Sequence, residues 1–538
     1  MKKVFLLFFL ITLLSRSFTT MAQAIPVTGV VKDGATGEPL PGVTIVVRGT
    51  SSGTASGVDG SFNLQVPNTD AVLVFSFIGY VSQEVPVKNN TTLNVALKSD
   101  TKALDEVVVV GYGTVKKSDI TGAVSTVDAK KITQVATVDV NQALQGKVSG
   151  VQITPSSGAP GSAAKVRIRG VGSFGNSDPL YVVDGFPTNS IEYISPNDIE
   201  SMEVLKDASA TAIYGNRGAN GVVLITTKKG KAGAPSFNFN TYAGIQNPWN
   251  TLNLANASEY ATLYLEAFGN DNKTISDADR AVLQNAIDNK STGTDWQKAV
   301  MRRNAPIQNY NFSVNGGTEK SRYGVSATYF NQEGTIINTG LKRFLLRLNN
   351  DYTFNNRFSG GWSLSYANTK FNNYSVDQYS GVLPAALMAS PVTPAWDPTT
   401  NNYGVTTRFS TGNNPLRLAN EIENQTTQQN RMVANVFGEV KLVEGLTFRS
   451  NFGGDLGFNK IRNYLPQFSI APAEQRTLSS LYDERQQGYQ WTWSNVFNYS
   501  KDIGDHSINA MIGAEAQNVY TDNINVTGFN IMNDPSQF

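Results

Sequence analysis

The sequence contains no cysteine and only one histidine, His506, among its 538 residues. Without cysteine the chain has neither disulfides nor thiol chemistry, so burial and hydrogen bonding must hold it together. A single histidine argues against histidine-based metal sites and histidine-based acid–base catalysis. The 44 Lys and Arg residues balance the 43 Asp and Glu residues, and a net charge near zero does not favour nucleic-acid binding. We therefore expect no catalytic site, no metal, no cofactor and no nucleic-acid partner.

Residues 1–24 have the order of a secretory signal peptide. Two lysines near the start precede an apolar run at residues 4–14, and small residues surround Ala22 and Ala24. The run is too short to span a bilayer as a helix, so the pattern predicts export, with cleavage after Ala22 or after Ala24. The alternative is an uncleaved anchor, against which the polar residues 15–17 count.

Beyond the signal, no apolar run approaches the roughly 20 residues that a membrane helix needs. A membrane role therefore requires a β-barrel. From residue 235 to residue 538, aromatic and aliphatic residues alternate with Asn, Ser and Thr, for example at residues 310–314, 323–329 and 491–499. A soluble β-sandwich would show the same alternation. The number of strands and the aromatic content favour an antiparallel transmembrane β-barrel.

Two smaller domains are predicted before the barrel. Residues 25–98 alternate with period two, as at residues 43–47, and carry the turn signal Asp59-Gly60, which predicts an all-β sandwich. Residues 115–230 alternate short strands with Gly-rich turns, which is typical of a compact α+β domain inside a wider container.

The segment between these two domains, residues 99–114, is a polar linker with four consecutive valines, Val107–Val110. Valine favours extended backbone, and the polar, Gly-containing flanks isolate this run. The segment is therefore available to pair with the sheet edge of a partner. The alternative is a fixed edge strand of a neighbouring domain.

Within the α+β domain, Lys165, Arg167 and Arg169 are predicted to lie on one face of a strand. One interpretation is that they contact acidic residues of the barrel wall and hold the domain in place. The other is a solvated face.

The stretch 194–230, ISPNDIESMEVLKDASATAIYGNRGANGVVLITTKKG, closely resembles the plug-domain signature of the SusC/RagA class of TonB-dependent outer-membrane transporters. The sequence GVVKDGATGEPLPGVTIVVRGT resembles the carboxypeptidase regulatory-like domain at the front of many such transporters. This resemblance implies no peptidase activity. The residues that carry the plug resemblance are Asp184, Gly185, Asp198, Glu203, Asp207, Tyr214, Gly215, Arg217, Gly218 and Gly221.

The resemblance implies a gated import channel in the outer membrane, with the front domains in the periplasm and the barrel in outer-membrane lipid. It implies that the linker carries the TonB box, reached by the TonB energy-coupling complex, at Asp105, Glu106, Val107, Val108, Val109 and Val110. It also implies a SusD-like surface lipoprotein as a lid, and an oligosaccharide or peptide as the substrate.

Three alternatives compete with this interpretation. A siderophore-type TonB-dependent receptor is the nearest, but the front β-sandwich and the sequence of the plug favour the SusC-like branch. A non-transporting outer-membrane adhesin would need neither the valine run nor the plug. An enzyme is disfavoured because no carboxylate pair stands in a recognisable catalytic motif.

Two interruptions of the barrel pattern are predicted. Residues 255–291 have helical periodicity, with Ser276 and Asp277 as candidate caps, and residues 386–414 have the composition of a long loop. Barrels of plugged transporters have about 22 strands, and fewer than half that number are convincing here. The final residues, NDPSQF, lack the pattern of a closing strand. We therefore expect only the front part of the barrel.

Overall fold

The computed structural model of the chain describes residues 25–50, 52–77, 79–88, 90–99, 107–110, 113–116, 124–135, 137, 139–172, 175–372, 381–504 and 506–531. The predicted signal peptide and the final NDPSQF residues lie outside this described part. The chain divides into two compact units, Met1–Glu106 and Val107–Phe538.

The first unit is a β-sandwich. Its strands are β1 Ile25–Asp33, β2 Thr44–Val47, β3 Gly53–Ala55, β4 Ser61–Val66, β5 Val72–Ser76, β6 Gln83–Pro86 and β7 Thr92–Leu97. They form one sheet in the order β4-β1-β7 and another in the order β3-β2-β5-β6. Alternate residues point into the core, where the rings of Phe62 and Phe75 meet edge to face at 5.4 Å between centroids. The predicted all-β sandwich is confirmed.

The second unit begins with a separate two-stranded ladder of β8 Val107–Val110 and β9 Gly113–Lys116, which is followed by an α+β domain. The strands of this domain are β10 Val124–Asp128, β11 Val151–Pro155, β12 Ala164–Ile168, β13 Leu180–Val183, β14 Phe186–Thr188, β15 Ile199–Leu205 and β16 Val222–Thr227. Its short helices are α1 Ala129–Ile132, α2 Val140–Ala143 and α3 Ala208–Thr211, with 3-10 turns at Pro196–Asp198 and Ala212–Gly218. The main sheet has the order β10-β15-β16-β13-β14, so β16 lies at its centre. Because β16 is covered on both faces, four consecutive apolar residues suit it.

The remainder forms a nine-stranded antiparallel sheet in which each strand pairs with the next along the order β17-β18-β19-β20-β21-β24-β25-β28-β29. The large strands are β17 Gly233–Gln246, β18 Ala305–Gly317, β19 Ser321–Glu333, β20 Gly340–Thr353, β21 Phe358–Asn372, β24 Gln425–Val443, β25 Leu446–Leu465, β28 Ser480–Ile503 and β29 His506–Phe529. Four short strands lie in the connections: β22 Trp396–Asp397, β23 Asn402–Tyr403, β26 Phe468–Ala471 and β27 Glu474–Arg476.

This sheet is apolar outside and polar inside. Phe312 and Trp362 point outward and are 45% and 44% exposed, whereas Asn311 and Ser365 point inward and are 1% and 2% exposed. The inner face packs against the α+β domain, whose hydrophobic cluster includes Leu345, Ala367 and Val433 of the sheet. These are the lipid and lumen faces expected of an outer-membrane barrel, so the predicted alternation is confirmed.

The two ends of the sheet differ in the length of their connections. At one end, turns of a few residues join β18 to β19, β20 to β21 and β24 to β25. At the other end, residues 247–304, 373–424 and 466–479 are long connections. Outer-membrane barrels have short periplasmic turns and long extracellular loops, so the long connections mark the extracellular end.

Helices occupy the long connections: α4 Ala257–Asn270, α5 Asp277–Asp288, α6 Trp296–Val300, α7 Val382–Met388 and α8 Pro415–Glu421. The predicted helical insertion is confirmed, and Ser276 caps α5 by accepting a hydrogen bond from the Asp279 backbone at 3.1 Å. No helix in the described part of the chain is long and apolar enough to cross a membrane.

The predicted loop over residues 386–414 is largely confirmed. Apart from the end of α7, the two-residue strands β22 and β23 and a 3-10 turn at Thr406–Arg408, the segment is irregular, and its residues Ser390, Thr406 and Asn414 are buried. The segment is ordered because buried groups elsewhere satisfy it, as when Trp296 Nε1 donates to the Ser390 carbonyl at 2.9 Å.

Burial of β16 makes a testable prediction. Val223 is 1% exposed at the centre of the sheet, so Val223→Asp should destabilise the α+β domain by several kcal/mol by burying an unpaired carboxylate. Val135→Asp is the control, because Val135 lies in the same domain and is 44% exposed. Hydrogen exchange of residues 199–227 in the intact protein measures the effect. Equal protection in the two variants would contradict the central position of β16.

Candidate functional site

The hairpin between β13 and β14 turns through two residues, Asp184 and Gly185, whose φ angles are 49° and 88°. Two successive positive φ angles define the turn that matches the twist of a tight hairpin, and Asp and Gly tolerate them. Oδ1 of Asp184 accepts a hydrogen bond from the Thr227 backbone at 3.0 Å, and Oδ2 accepts one from Thr227 Oγ1 at 2.6 Å. The carboxylate therefore joins the hairpin to the end of β16.

Arg347 of β20 reaches this carboxylate from the inner face of the large sheet. Its Nη2 donates to Asp184 Oδ2 and to Thr227 Oγ1, each at 2.6 Å, and its Nη1 donates to Ser365 Oγ at 2.8 Å. The Arg347 and Asp184 side chains are 7% and 15% exposed. A charge-assisted pair that is mostly buried is strong and directional, and removal of one partner would leave a largely buried charge unmatched.

Asp198 is a second acidic group of the α+β domain beside the same guanidinium. It ends the 3-10 turn before β15, and its carbonyl accepts from the Lys228 backbone at 2.8 Å. Burial raises the pKa of Asp198, while a hydrogen bond from Ser326 of the wall and the charges of Arg347 and Lys228 act in the opposite direction. Arg347 thus pairs directly with Asp184, and its charge also acts on Asp198, which the wall contacts through Ser326.

A second arginine of the wall, Arg431 of β24, also contacts the α+β domain. Its guanidinium donates to both carboxylate oxygens of Asp455 on β25, at 2.9 and 2.5 Å, and to Thr188 Oγ1 of the α+β domain at 2.8 Å. It also lies over the Tyr193 ring, 4.8 Å from the centroid. Burial raises the pKa of Tyr193.

The interpretation that Lys165, Arg167 and Arg169 contact the barrel wall is wrong. Arg167 pairs with Asp178, and Arg169 pairs with Asp207, each at 2.5 Å and each within the α+β domain. Lys165 is exposed. Arg169 also follows the end of β12, with a φ of 58°, so only Lys165 and Arg167 lie on the strand. Partial solvation is the expected state of such surface charges.

At Arg347 the polarity of the contact is opposite to that hypothesis, because there the wall supplies the cation and the inner domain the carboxylate. The sequence did contain an indication that the wall carries inward-facing cations. In LKRFLLRLNN, residues 341–350, two arginines stand four positions apart. They share one face of a strand whose other face carries Phe344 and Leu346, and an inward-facing cation on a barrel strand requires a partner in the lumen.

The other predicted signature residues lie in three different settings. Asp207 stands at the N-cap of α3 and pairs with Arg169. Glu203 is buried in β15, and Tyr214 packs against a separate apolar cluster around Leu180. Arg217 reaches β29, where it donates to Gln517 Oε1 at 2.9 Å and lies 3.5 Å from Glu515.

The glycines of the signature allow backbone conformations and close approaches that a side chain would prevent. Gly215 has a φ of 57°, and Gly221 has a φ of 88°. A Cβ at Gly221 would lie 2.7 Å from Ile168, and one at Gly218 would lie 2.8 Å from the Thr211 carbonyl. The signature therefore combines wall contacts with backbone geometry and does not form a single pocket.

Comparison with known proteins agrees with this architecture. Residues 116–222 match the model of the TonB-dependent receptor plug domain, and residues 27–109 match that of the CarboxypepD_reg-like domain. TonB-dependent receptor P3 of Formosa agariphila is 36% identical over 515 residues, which cover 93% of this chain and 48% of the relative. TonB-dependent receptor SusC of Bacteroides thetaiotaomicron is 33% identical over 542 residues, with coverages of 94% and 51%.

A solved structure of the RagAB peptide importer in its open-open state superimposes with a TM-score of 0.68 at 28% identity, covering 79% of this chain and 50% of that chain. The chain is a SusC/RagA-like TonB-dependent receptor. It belongs to a family of outer-membrane β-barrel transporters, not of enzymes, and it spans about half the length of the curated relatives that it matches.

The TonB-box prediction is only partly within the described structure. Asp105 and Glu106 lie outside the described residues. Val107–Val110 form β8, which pairs with β9 in an antiparallel two-stranded ladder from Val107 opposite Lys116 to Val110 opposite Gly113. The segment has the extended conformation that strand addition needs, and its coupling role stays a prediction.

The Arg347 contact leads to a second test. Arg347→Met should loosen the plug by about 3–5 kcal/mol, because it strands the buried Asp184 carboxylate, and Asp184→Asn in the same chain should recover part of that loss. Protease sensitivity of residues 180–230 across a urea series in the intact receptor measures it.

The control for this test is Arg169→Gln, which removes an arginine whose side chain is 53% exposed and should change plug stability by less than about 1 kcal/mol. A plug that is equally sensitive in Arg347→Met and Arg169→Gln would show that the Arg347 contact does not hold it.

Proposed function

We propose that this receptor actively imports an oligomeric nutrient, a glycan or a peptide, across the outer membrane, with the plug gating the barrel. The observation that carries the proposal is the seating of the plug. A folded domain fills the inner face of the sheet, and buried directional contacts from Arg347 and Arg431 hold it there. A passive structural barrel would not need a separately folded domain in its lumen.

The connectivity of the plug gives an external pull a route to these contacts. The predicted TonB box precedes β10, and β10 is an edge strand of the plug sheet with β15 as its neighbour. β15 begins directly after Asp198, which accepts a hydrogen bond from Ser326 of the wall. Tension on residues 105–110 is therefore transmitted first to an edge strand and then to the acidic side of the wall contact.

Two partners follow from this proposal. The TonB energy-coupling complex engages Asp105–Val110 from the periplasm, by adding this strand to its own sheet edge. A SusD-like surface lipoprotein closes the opposite end, where α4 to α8 form an ordered layer in the long extracellular connections. The structurally similar RagAB is a peptide importer, which supports a peptide as one of the two substrate classes.

The predicted signature residues have distinct parts in this proposal. Asp184 and Asp198 bind the wall, and Arg217 is a further wall contact at β29. Gly215 and Gly221 give the plug backbone the turns that place these side chains. The division of the chain into signal peptide, front sandwich, linker, plug and barrel belongs to the same proposal.

The absence of native cysteine allows a direct test of coupling. Single variants Val107→Cys to Val110→Cys should form disulfides with a TonB protein that carries one cysteine on the edge strand of its periplasmic domain. Val135→Cys, on the exposed plug surface, is the control. Crosslinks at residue 135 but at none of residues 107–110 would contradict the assignment.

A deletion of residues 105–110 tests whether this segment is needed for import. It should abolish energised accumulation of fluorescent oligosaccharide and peptide pools, while insertion of the barrel into the membrane is unchanged, because the barrel strands do not involve this segment. Undiminished accumulation in the deletion strain would overturn TonB-driven import through this receptor.

A further inference from the structure

The plug presses an aromatic ring onto a glycine of the wall. Gly453 lies on the inner face of β25, and three ring carbons of Phe186 lie within 3.1 Å of the position that a Cβ at residue 453 would take. The ring therefore occupies the space of a wall side chain. Both residues are buried, and Phe186 is only 1% exposed. The two surfaces fit closely in shape, because a larger residue at position 453 would displace the ring.

The neighbours of Gly453 on the wall are polar. Asn435 of β24 and Thr492 of β28 pair directly with Gly453, one on each side, so their side chains start about 5 Å from it on the same inner face. Asn451 lies on that face two residues earlier in β25, about 7 Å along the strand. Asn435, Thr492 and Asn451 are 8%, 3% and 9% exposed. These four wall residues form a polar socket around the Phe186 ring.

The side-chain oxygens of the socket have no partner. Within the described part of the chain, Asn435 Oδ1, Asn451 Oδ1 and Thr492 Oγ1 neither form a hydrogen bond nor touch solvent. Elsewhere on the inner face such groups are paired, as where Asn311 Nδ2 donates to Thr328 Oγ1 at 2.7 Å. A buried acceptor without a donor costs free energy, because it loses its hydrogen bonds to water when the plug covers it. The socket thus fits the ring in shape but not in polarity.

Space for water lies next to the socket. Asn435 and Asn451 also line a cavity of about 1050 Å³ between the plug and the end of the wall with the short turns, which is large enough to hold water. Withdrawal of Phe186 joins the socket to this cavity, and the three oxygens then gain hydrogen bonds from water. Hydration of the socket therefore stabilises the displaced plug relative to the seated plug.

We propose that the socket is a release device for the plug, with Phe186 as the gating residue that seats in it. Closure of the plug buries three acceptors without donors, and this cost offsets part of the attachment that Arg347 and the shared apolar cluster provide. The plug is therefore held in a defined position at a smaller free energy than its contacts alone would give. The proposal rests on the import function above only in treating this movement as a gate.

A thiol reporter measures how often the plug leaves its seat. Val433 is 6% exposed on the wall and packs in the hydrophobic cluster of the plug, so Val433→Cys reacts with a maleimide only while the plug is displaced. The chain has no native cysteine that would react as well. The labelling rate is measured in outer membranes that contain the intact receptor, without TonB and without substrate. At reagent concentrations where the rate is proportional to concentration, it reports the displaced fraction.

Removal of an unpaired oxygen at nearly constant side-chain volume should tighten the plug. Thr492→Val and Asn435→Leu each replace a buried polar group by an apolar group of similar shape, so each should slow labelling at residue 433 by about tenfold. Thr328→Val is the matched control, because Thr328 is a wall threonine that is 2% exposed and whose Oγ1 has a partner. This control should not slow labelling. Heat-modifiable migration checks that each variant is folded.

Unchanged or faster labelling in both Thr492→Val and Asn435→Leu would overturn the proposal, and so would equal slowing by Thr328→Val. Gly453→Ala should have the opposite effect and speed labelling, because its methyl group enters the space of the ring. Unchanged labelling in that variant would contradict the seat. Slowed labelling without the TonB crosslinks at residues 107–110 would support the socket and refute coupled import. Crosslinks without slowed labelling would refute the socket and leave import standing.

Discussion

The structure depends on one constraint, the alternation of side chains along strands that face lipid on one side and the lumen on the other. In a bilayer the backbone groups of each strand must pair with a neighbour, so the strands have to continue side by side around the lumen. Period two then assigns every second residue inward. Because Phe312 and Trp362 face outward, Asn311 and Ser365 face inward, and the plug meets a polar wall. This explains why the plug is held by charged and amide groups as well as by apolar packing.

The contacts between the plug and the inner face of the sheet are of two energetic kinds. The apolar cluster shared with Leu345, Ala367 and Val433 gives the plug a non-directional attachment, and Gly453 allows close approach, since a Cβ there would lie 2.1 Å from the Phe186 ring. A buried ion pair adds little net stability relative to a well-packed apolar contact, but a displaced partner carries a large penalty. Arg347 and Asp184 therefore set the position of the plug sharply, because small displacements are costly.

Local patterns in the sequence were sufficient where the physics is local. Alternation predicted the barrel strands, and the cap at Ser276 predicted α5. The plug–wall contact was not predictable in the same way, because Arg347 and Asp184 lie 163 positions apart and only the fold brings them together. The plug cations were misassigned for a different reason, since their partners Asp178 and Asp207 lie within the plug and satisfy them before they reach the wall.

The packing of the loop at residues 386–414 was not predictable for a related reason. Composition indicated the loop itself, but Glu474 from a different connection is buried there and accepts hydrogen bonds from the Thr406 backbone at 3.1 Å and the Asn414 backbone at 2.6 Å. Nearby, Glu421 joins Arg417 and Arg476, each at 2.7 Å. Composition gives no information on such distant partners, which replace water for the backbone of the segment.

Strand β20 connects the two inner features of the receptor. Arg343 and Arg347 lie on the same face four residues apart, which corresponds to about 13 Å along a strand. One guanidinium faces a cavity toward the extracellular end, and the other binds the plug carboxylate. β20 is paired along its length with β19 and β21, so it behaves as a rigid element. One face of β20 therefore both holds the plug, at Asp184, and lines a cavity beside the plug.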